Sequence, residues 1–171
     1  MVIWFTGMSG SGKTTLSKSL ISTLKQNNYS VHSLDGDTVR KLNNESTHFT
    51  KDSILNNNYS IIEKCVKAVD QYDFVIVSVI SPYEKTRRYA RKVLKKKYFE
   101  IYIKCSLETL ILRDTKGFYQ KALNGEIDNL IGYSSKLPYE EPDISDLIIS
   151  TDKLGKQEAI QIILKEMSIN L

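Results

Sequence analysis

The residues with the clearest chemistry stand near the start of the chain. In GMSGSGKT, Gly7, Gly12, Lys13 and Thr14 fit the spacing G-x-x-x-x-G-K-[ST]. The apolar run VIWF, residues 2–5, reads as a buried strand in front of them. Behind them Leu16, Leu20, Ile21 and Leu24 recur at helical spacing, which predicts a helix over 13–26. A glycine-rich loop between a strand and a helix lets backbone N–H groups converge on phosphate oxygens at a helix N-terminus, where the dipole favours anions. Gly7, Ser9, Gly10, Ser11, Gly12, Lys13, Thr14 and Thr15 are therefore the candidate nucleotide-binding residues. Lys13 is expected to reach the β- and γ-phosphates and the Thr14 hydroxyl to ligate Mg²⁺.

Such a loop does not by itself make an enzyme, because switch GTPases carry it too. A switch needs D-x-x-G after its third strand and a guanine-reading N-K-x-D. Residues 114–117 and 152–155 have the D-x-x-G spacing, but they follow the fourth and fifth expected strands, and the third, ending near Ser78, carries no carboxylate. The carboxylates come instead from DGD, at the carboxyl end of the second strand, where α/β sheets place their ligands. Asp35 is the candidate for the Mg²⁺ shell, through water. Asp37 is the candidate general base, taking a proton from an attacking hydroxyl. The competing reading of DGD is a plain Asp-Gly turn.

Positioning these groups requires a regular scaffold, and the pattern supplies one. Strands are expected at 2–5, 30–34, 74–80, 100–105 and 147–151. Helices are expected at 13–26, 53–70, 85–97, 107–114, 118–123 and 156–167, the second burying Ile54, Tyr59, Ile62, Val66 and Val69. Strands alternating with helices imply an α/β three-layer sandwich, a parallel sheet of about five strands covered on both faces. The 171 residues suit a single domain over 1–171, with residues 115–142 as a lid.

Bulk properties narrow the classes. No apolar run approaches the ~20 residues of a membrane span, and the phosphate loop leaves no room ahead of it for a signal peptide. Cys65 and Cys105 have no metal-like spacing and read as reduced thiols, so a cytoplasmic protein is expected. The net charge of +4 owes much to KTRRYARKVLKKK, residues 85–97. That run suits either a nucleic-acid surface or a solvated helix face with Tyr89, Val93 and Leu94 turned inward. The second is expected, with no nucleic-acid or membrane partner.

GMSGSGKTTL, LDGDTVR, VISPYEKTRRYAR, RDTKGFYQKALNGEI and YEEP, in this order over residues 3–152, resemble the adenylylsulfate kinase family. The resemblance implies a P-loop kinase with a mobile lid, often a homodimer, that uses Mg²⁺ and transfers the γ-phosphoryl of ATP to the 3′-hydroxyl of adenosine 5′-phosphosulfate. It implies Asp37 as the catalytic aspartate, with Lys13 and Lys116 sharing the charge of the transferred phosphate. Arg113 is implied against the adenine of ATP. On the acceptor side it implies Arg40, Phe49 stacking on the base, Asn57, the turn Ile80, Ser81 and Pro82, and Lys116.

The departures cluster on the acceptor side. The family's arginine five residues after the Phe49 position is Ile54 here. The lid pattern Phe-Thr-Gly-Ile-Asp is Leu-Ile-Gly-Tyr-Ser at residues 130–134, so Leu130 stands where a second aromatic would stack, and the lid is two residues longer before Tyr139. Stacking on one aromatic face is worth about 1–3 kcal/mol. At these points the chain resembles cytidine diphosphoramidate kinases of capsular phosphoramidate synthesis, which implies a cytidine conjugate as the leading acceptor and adenylylsulfate as the alternative. A non-catalytic nucleotide- or nucleic-acid-binding module is the second alternative.

Overall fold

The computed structural model describes residues 1–42 and 49–169. Five strands form one parallel sheet: β1 (Val2–Thr6), β2 (Val31–Asp35), β3 (Phe74–Ser78), β4 (Tyr98–Lys104) and β5 (Leu147–Ser150), in the order β2-β3-β1-β4-β5. The register is continuous, with Ile3 opposite Ile76 on one side and Phe99 on the other. Among the described residues seven α-helices connect or flank the strands: α1 (Lys13–Gln26), α2 (Gly36–Leu42), α3 (Lys51–Ala68), α4 (Glu84–Leu94, followed by a 3-10 turn over Lys95–Lys97), α5 (Leu107–Arg113), α6 (Phe118–Leu123) and α7 (Lys156–Glu166). No helix among the described residues is long and apolar enough to cross a membrane.

The all-apolar run VIWF follows from its place at the centre of the sheet, where both faces are covered. Val2 and Trp4 point to one face and pack with Val75, Val77 and the α3–α4 residues Ile61, Ile62, Cys65, Ala90 and Leu94. Ile3 and Phe5 point to the other and pack with Leu16, Leu20 and Leu24 of α1 and Ala159, Ile160 and Ile163 of α7.

Three expectations need correction. Helix α3 starts at Lys51, not 53, because Thr50 and Ser53 form a reciprocal capping box, with Ser53 N–H to Thr50 Oγ1 at 3.1 Å and Thr50 N–H to Ser53 Oγ at 3.0 Å. Val66 on α3 is exposed. In the basic helix, Tyr89 and Val93 are exposed, and the inward face carries Thr86, Arg87, Ala90 and Leu94. Arg87, at 1% exposure, turns inward because partners wait there: Glu84 Oε2 at 2.5 Å, the Glu140 carbonyl at 2.7 Å, and the Ser81 carbonyl. Arg88 and Arg91 pair with Asp143 and Asp146, at 2.7 and 2.8 Å. Much of the run's charge is thus answered within the chain. Both cysteines are free, Cys65 buried and Cys105 partly so.

Candidate active site

The carboxyl ends of β1, β2 and β3 open onto one cleft. The phosphate loop contributes Ser9, Gly10, Gly12, Lys13, Thr14 and Thr15. The end of β2 and the start of α2 contribute Asp35, Gly36, Asp37 and Arg40, and the end of β3 contributes Ser78, Val79 and Ile80. Phe49, Ile54, Asn57 and Asn58 come from the chain around α3. Thr115, Lys116 and Ile131 come from segment 115–142.

The loop is held from beneath. At Gly7 a Cβ would lie 2.5 Å from the Ile103 carbonyl oxygen of β4, so only glycine allows this approach. The Tyr119 hydroxyl of α6 donates to the Ser9 carbonyl at 2.9 Å, and the Thr151 hydroxyl donates to the Ser11 carbonyl at 2.8 Å. No side chain caps α1, its first turn has no acidic residue, and Ser11 Oγ is buried without a partner among the described residues. Bare helix N–H groups and an orphaned hydroxyl are the donors a phosphate would satisfy. The cradle therefore fits the phosphates of a nucleotide, and Thr14 and Asp35 in the same cleft offer the oxygens that would hold its Mg²⁺.

Lys13 Nζ donates to the Met8 carbonyl at 2.8 Å. Burial pulls its ammonium down to about 7; the nearby charge of Lys116 adds to this, and Asp37 and Asp35 oppose it. The Thr14 hydroxyl lies 3.4 Å from Ser78 Oγ.

DGD is the cap of a helix, which the turn reading of the sequence did not anticipate. Asp35 Oδ1 accepts from the N–H of Asp37 and of Thr38, each at 3.1 Å, so Asp35 starts α2 and Asp37 lies in its first turn. Asp37 Oδ2 accepts from Lys116 Nζ at 2.9 Å. The Arg40 guanidinium sits over the Phe49 ring, 4.8 Å from its centroid. Asn57 Nδ2 donates to the Gly36 carbonyl at 3.4 Å, while its Oδ1 is buried with no partner among the described residues.

Some expected site residues lie off the cleft. Leu130 does not face it. It packs with Leu110 and Tyr119, while its neighbour Ile131 joins Ile54, Leu55, Tyr83 and Leu137 beside Phe49 and Ile80. Adjacent side chains diverge here because the chain turns at Gly132, whose φ is +82° and whose missing Cβ leaves room for the Met8 side chain. Ser81 is fully buried, its hydroxyl 3.2 Å from that of Thr86, and the Pro82 carbonyl accepts from Glu140 N–H at 2.8 Å. Both therefore secure the turn after β3 rather than line the cleft. Arg113 is exposed and donates to the Thr151 carbonyl at 2.6 Å and to its hydroxyl at 3.2 Å. Thr151, Tyr119 and Asn58 were not expected in the site. Only Asn58, one turn beyond Ile54 on the same helix face, carried a signal in the sequence.

The family model described as Adenylylsulphate kinase matches residues 1–150. A protein named probable adenylyl-sulfate kinase from Archaeoglobus fulgidus is 41% identical over 152 residues, covering 89% of this chain and 96% of the relative. An adenylyl-sulfate kinase from Clostridium kluyveri is 39% identical over 168 residues, covering 98% and 83%. Among solved structures, the Mycobacterium tuberculosis APS kinase CysC in complex with AMPPNP and APS superposes with a TM-score of 0.89 at 30% identity, covering 98% of this chain and 96% of that one. This protein accordingly belongs to the adenylylsulphate kinase family, P-loop phosphotransferases that use ATP with Mg²⁺ and an alcohol group as acceptor.

Proposed function

We propose that this protein transfers the γ-phosphoryl group of ATP to the 3′-hydroxyl of adenylylsulfate. The observation that carries the reading is the cleft itself, where the phosphate loop, the Asp37–Lys116 pair and the Phe49–Asn57 side converge. The names of the relatives favour adenylylsulfate as the acceptor.

In this reading the nucleotide phosphates lie on the loop amides with Lys13, and Arg113 packs against the adenine of ATP. Thr14, and Asp35 through water, hold Mg²⁺; the Oδ2 of Asp35 makes no hydrogen bond among the described residues and is the oxygen available. When bound, the metal neutralises charge on the β- and γ-phosphate oxygens. The acceptor base stacks on Phe49, while Arg40 and Asn57 hold the acceptor and orient its ribose. Asp37 takes the 3′-hydroxyl proton as that oxygen bonds to the γ-phosphorus, the bond to ADP breaks, and ADP leaves. Lys116 moves from Asp37 to the phosphoryl group in flight. Segment 115–142 acts as a lid that excludes water.

One observation favours a second reading. Ile54, at 1% exposure, gives the acceptor side an apolar wall where the family carries an arginine toward the phosphosulfate. This favours a cytidine conjugate of the diphosphoramidate type.

A coupled ADP-release assay with Mg·ATP, run on adenylylsulfate and on cytidine diphosphoramidate, tests both. Turnover with adenylylsulfate giving its 3′-phosphate is the expected result; turnover confined to the cytidine conjugate selects the second reading, and turnover with neither defeats both. Light scattering on the same samples checks the homodimer that the family implies.

A further inference from the structure

Two side-chain carbonyls on the acceptor side of the cleft are buried without a hydrogen-bond partner among the described residues: those of Asn57 and Asn58. Asn57 answers to the family's acceptor-contacting asparagine. Asn58 has no counterpart in that pattern. It is 1% exposed and lines the cleft. Its Nδ2 donates to the Ile54 main-chain carbonyl at 2.8 Å. A carbonyl only accepts, so this bond fixes the amide: the nitrogen must face Ile54, and the oxygen is the free atom. A buried acceptor without a partner, on a residue that lines a cleft, calls for a donor on whatever fills it.

The surroundings say which part of the acceptor brings that donor. Phe49, Ile54 and Ile131 are neighbours in one apolar cluster, and Asn58 follows Ile54 by one helical turn. Such a wall suits the flat face of a nucleobase, with a polar group to read its edge. The charged groups of the cleft, Lys13, Asp35, Asp37, Arg40 and Lys116, come from other segments, Arg40 reaching over the Phe49 ring from α2.

We infer that Asn58 is a specificity-determining residue whose side-chain carbonyl accepts a hydrogen bond from the exocyclic amino group of the acceptor's base. The cleft then favours an amino base over its oxo counterpart. The inference rests on the acceptor reading above and holds for either acceptor, because adenine and cytosine both carry an amino group on the Watson–Crick edge.

The test is calorimetric binding of AMP, IMP, CMP and UMP to the full chain with Mg·ADP saturating, so that the ATP end is filled. AMP is expected to bind about tenfold more tightly than IMP, and CMP about tenfold more tightly than UMP. Asn58→Leu, which keeps the branched shape without a polar atom, should bring each pair within about twofold. Asn58→Ala is the second variant with the same expectation, and Mg·ADP binding reports that each variant is folded. Equal binding within both wild-type pairs, or a preference that survives both variants, overturns the role of Asn58 while the acceptor reading stands. Failure of all four nucleotides to bind overturns both.

Discussion

Lys116 Nζ lies 2.9 Å from Asp37 Oδ2, joining residues 79 positions apart across the cleft. The two side chains are 50% and 65% exposed, so the pair is screened and is worth at most about 1 kcal/mol. An incoming phosphate can therefore take the lysine from the aspartate at little cost. In the proposed mechanism that would leave the carboxylate free to accept a proton as the lysine moves onto the transferred group. Asp37→Asn should lower kcat by about 10²–10⁴-fold, the usual size of a general-base contribution. Its Kd for Mg·ATP, measured by calorimetry, should stay close to wild type. Unchanged kcat would remove Asp37 as the base.

Lys13 sets a pH dependence. Its pKa is about 7, lowered first by burial. Phosphate oxygens favour the ammonium form, so ATP binding should take up a proton at pH 8. Affinity should then fall as pH rises above about 7, with log K dropping by up to one unit per pH unit. Calorimetry in buffers of different ionisation enthalpy checks the uptake, and Lys13→Ala should abolish it while weakening ATP binding at least tenfold. The same shift acts on folding. Between about 7 and the ordinary lysine pKa, the unfolded chain binds more protons than the folded one, so this lysine makes the protein more stable as pH rises.

The chemistry of the phosphate loop was legible in the sequence because it depends on local spacing. Gly7, Gly12 and Lys13 act through a strand-turn-helix unit that the hydrophobic period also announces, and α1 runs over the residues expected, Lys13–Gln26. The strands could be placed because sheet burial makes runs such as VIWF apolar throughout. Less legible was whatever depends on which way a side chain points outside a regular period. Leu130 and Ile131 are equally apolar, and only the turn at Gly132 decides which one reaches Ile54. Arg87 reads as surface charge until β4 brings Glu100 to within 3.5 Å of it. Thr151 supports Ser11 from 140 positions away, a relationship that no spacing rule reveals.

Arg87 fastens the turn after β3 to the end of segment 115–142. It donates to the main-chain carbonyls of Ser81 and Glu140 while paired with Glu84. Removing a buried charge that satisfies several partners typically costs about 3–5 kcal/mol. Arg87→Met should lower unfolding stability in urea by that order. Arg88→Met should cost under about 1 kcal/mol, because its pairs with Glu84 and Asp143 are 65% exposed on the arginine side. Equal effects in the two variants would refute the distinction between them.

The lid pattern makes the last prediction. If the residue aligned with the family's stacking aromatic set acceptor choice, Leu130→Phe would be the telling substitution. The structure gives that place in the cleft to Ile131, against Ile54 and Leu55. Leu130 is 7% exposed in a separate cluster with Leu110 and Tyr119, whose hydroxyl braces the Ser9 carbonyl. Overpacking that cluster should cost about 1–3 kcal/mol of stability, with little change in the ratio of kcat/KM values for adenylylsulfate and a cytidine conjugate. Ile131→Phe would add an aromatic face beside the base of the proposed acceptor and should shift that ratio at least fivefold toward the larger adenine, at a comparable cost in stability, since Ile131 is 4% exposed. Steady-state kinetics on both acceptors with parallel urea melts checks the pair. A ratio that moves with Leu130 and not with Ile131 would return the lid's specificity to the position the sequence pattern suggested.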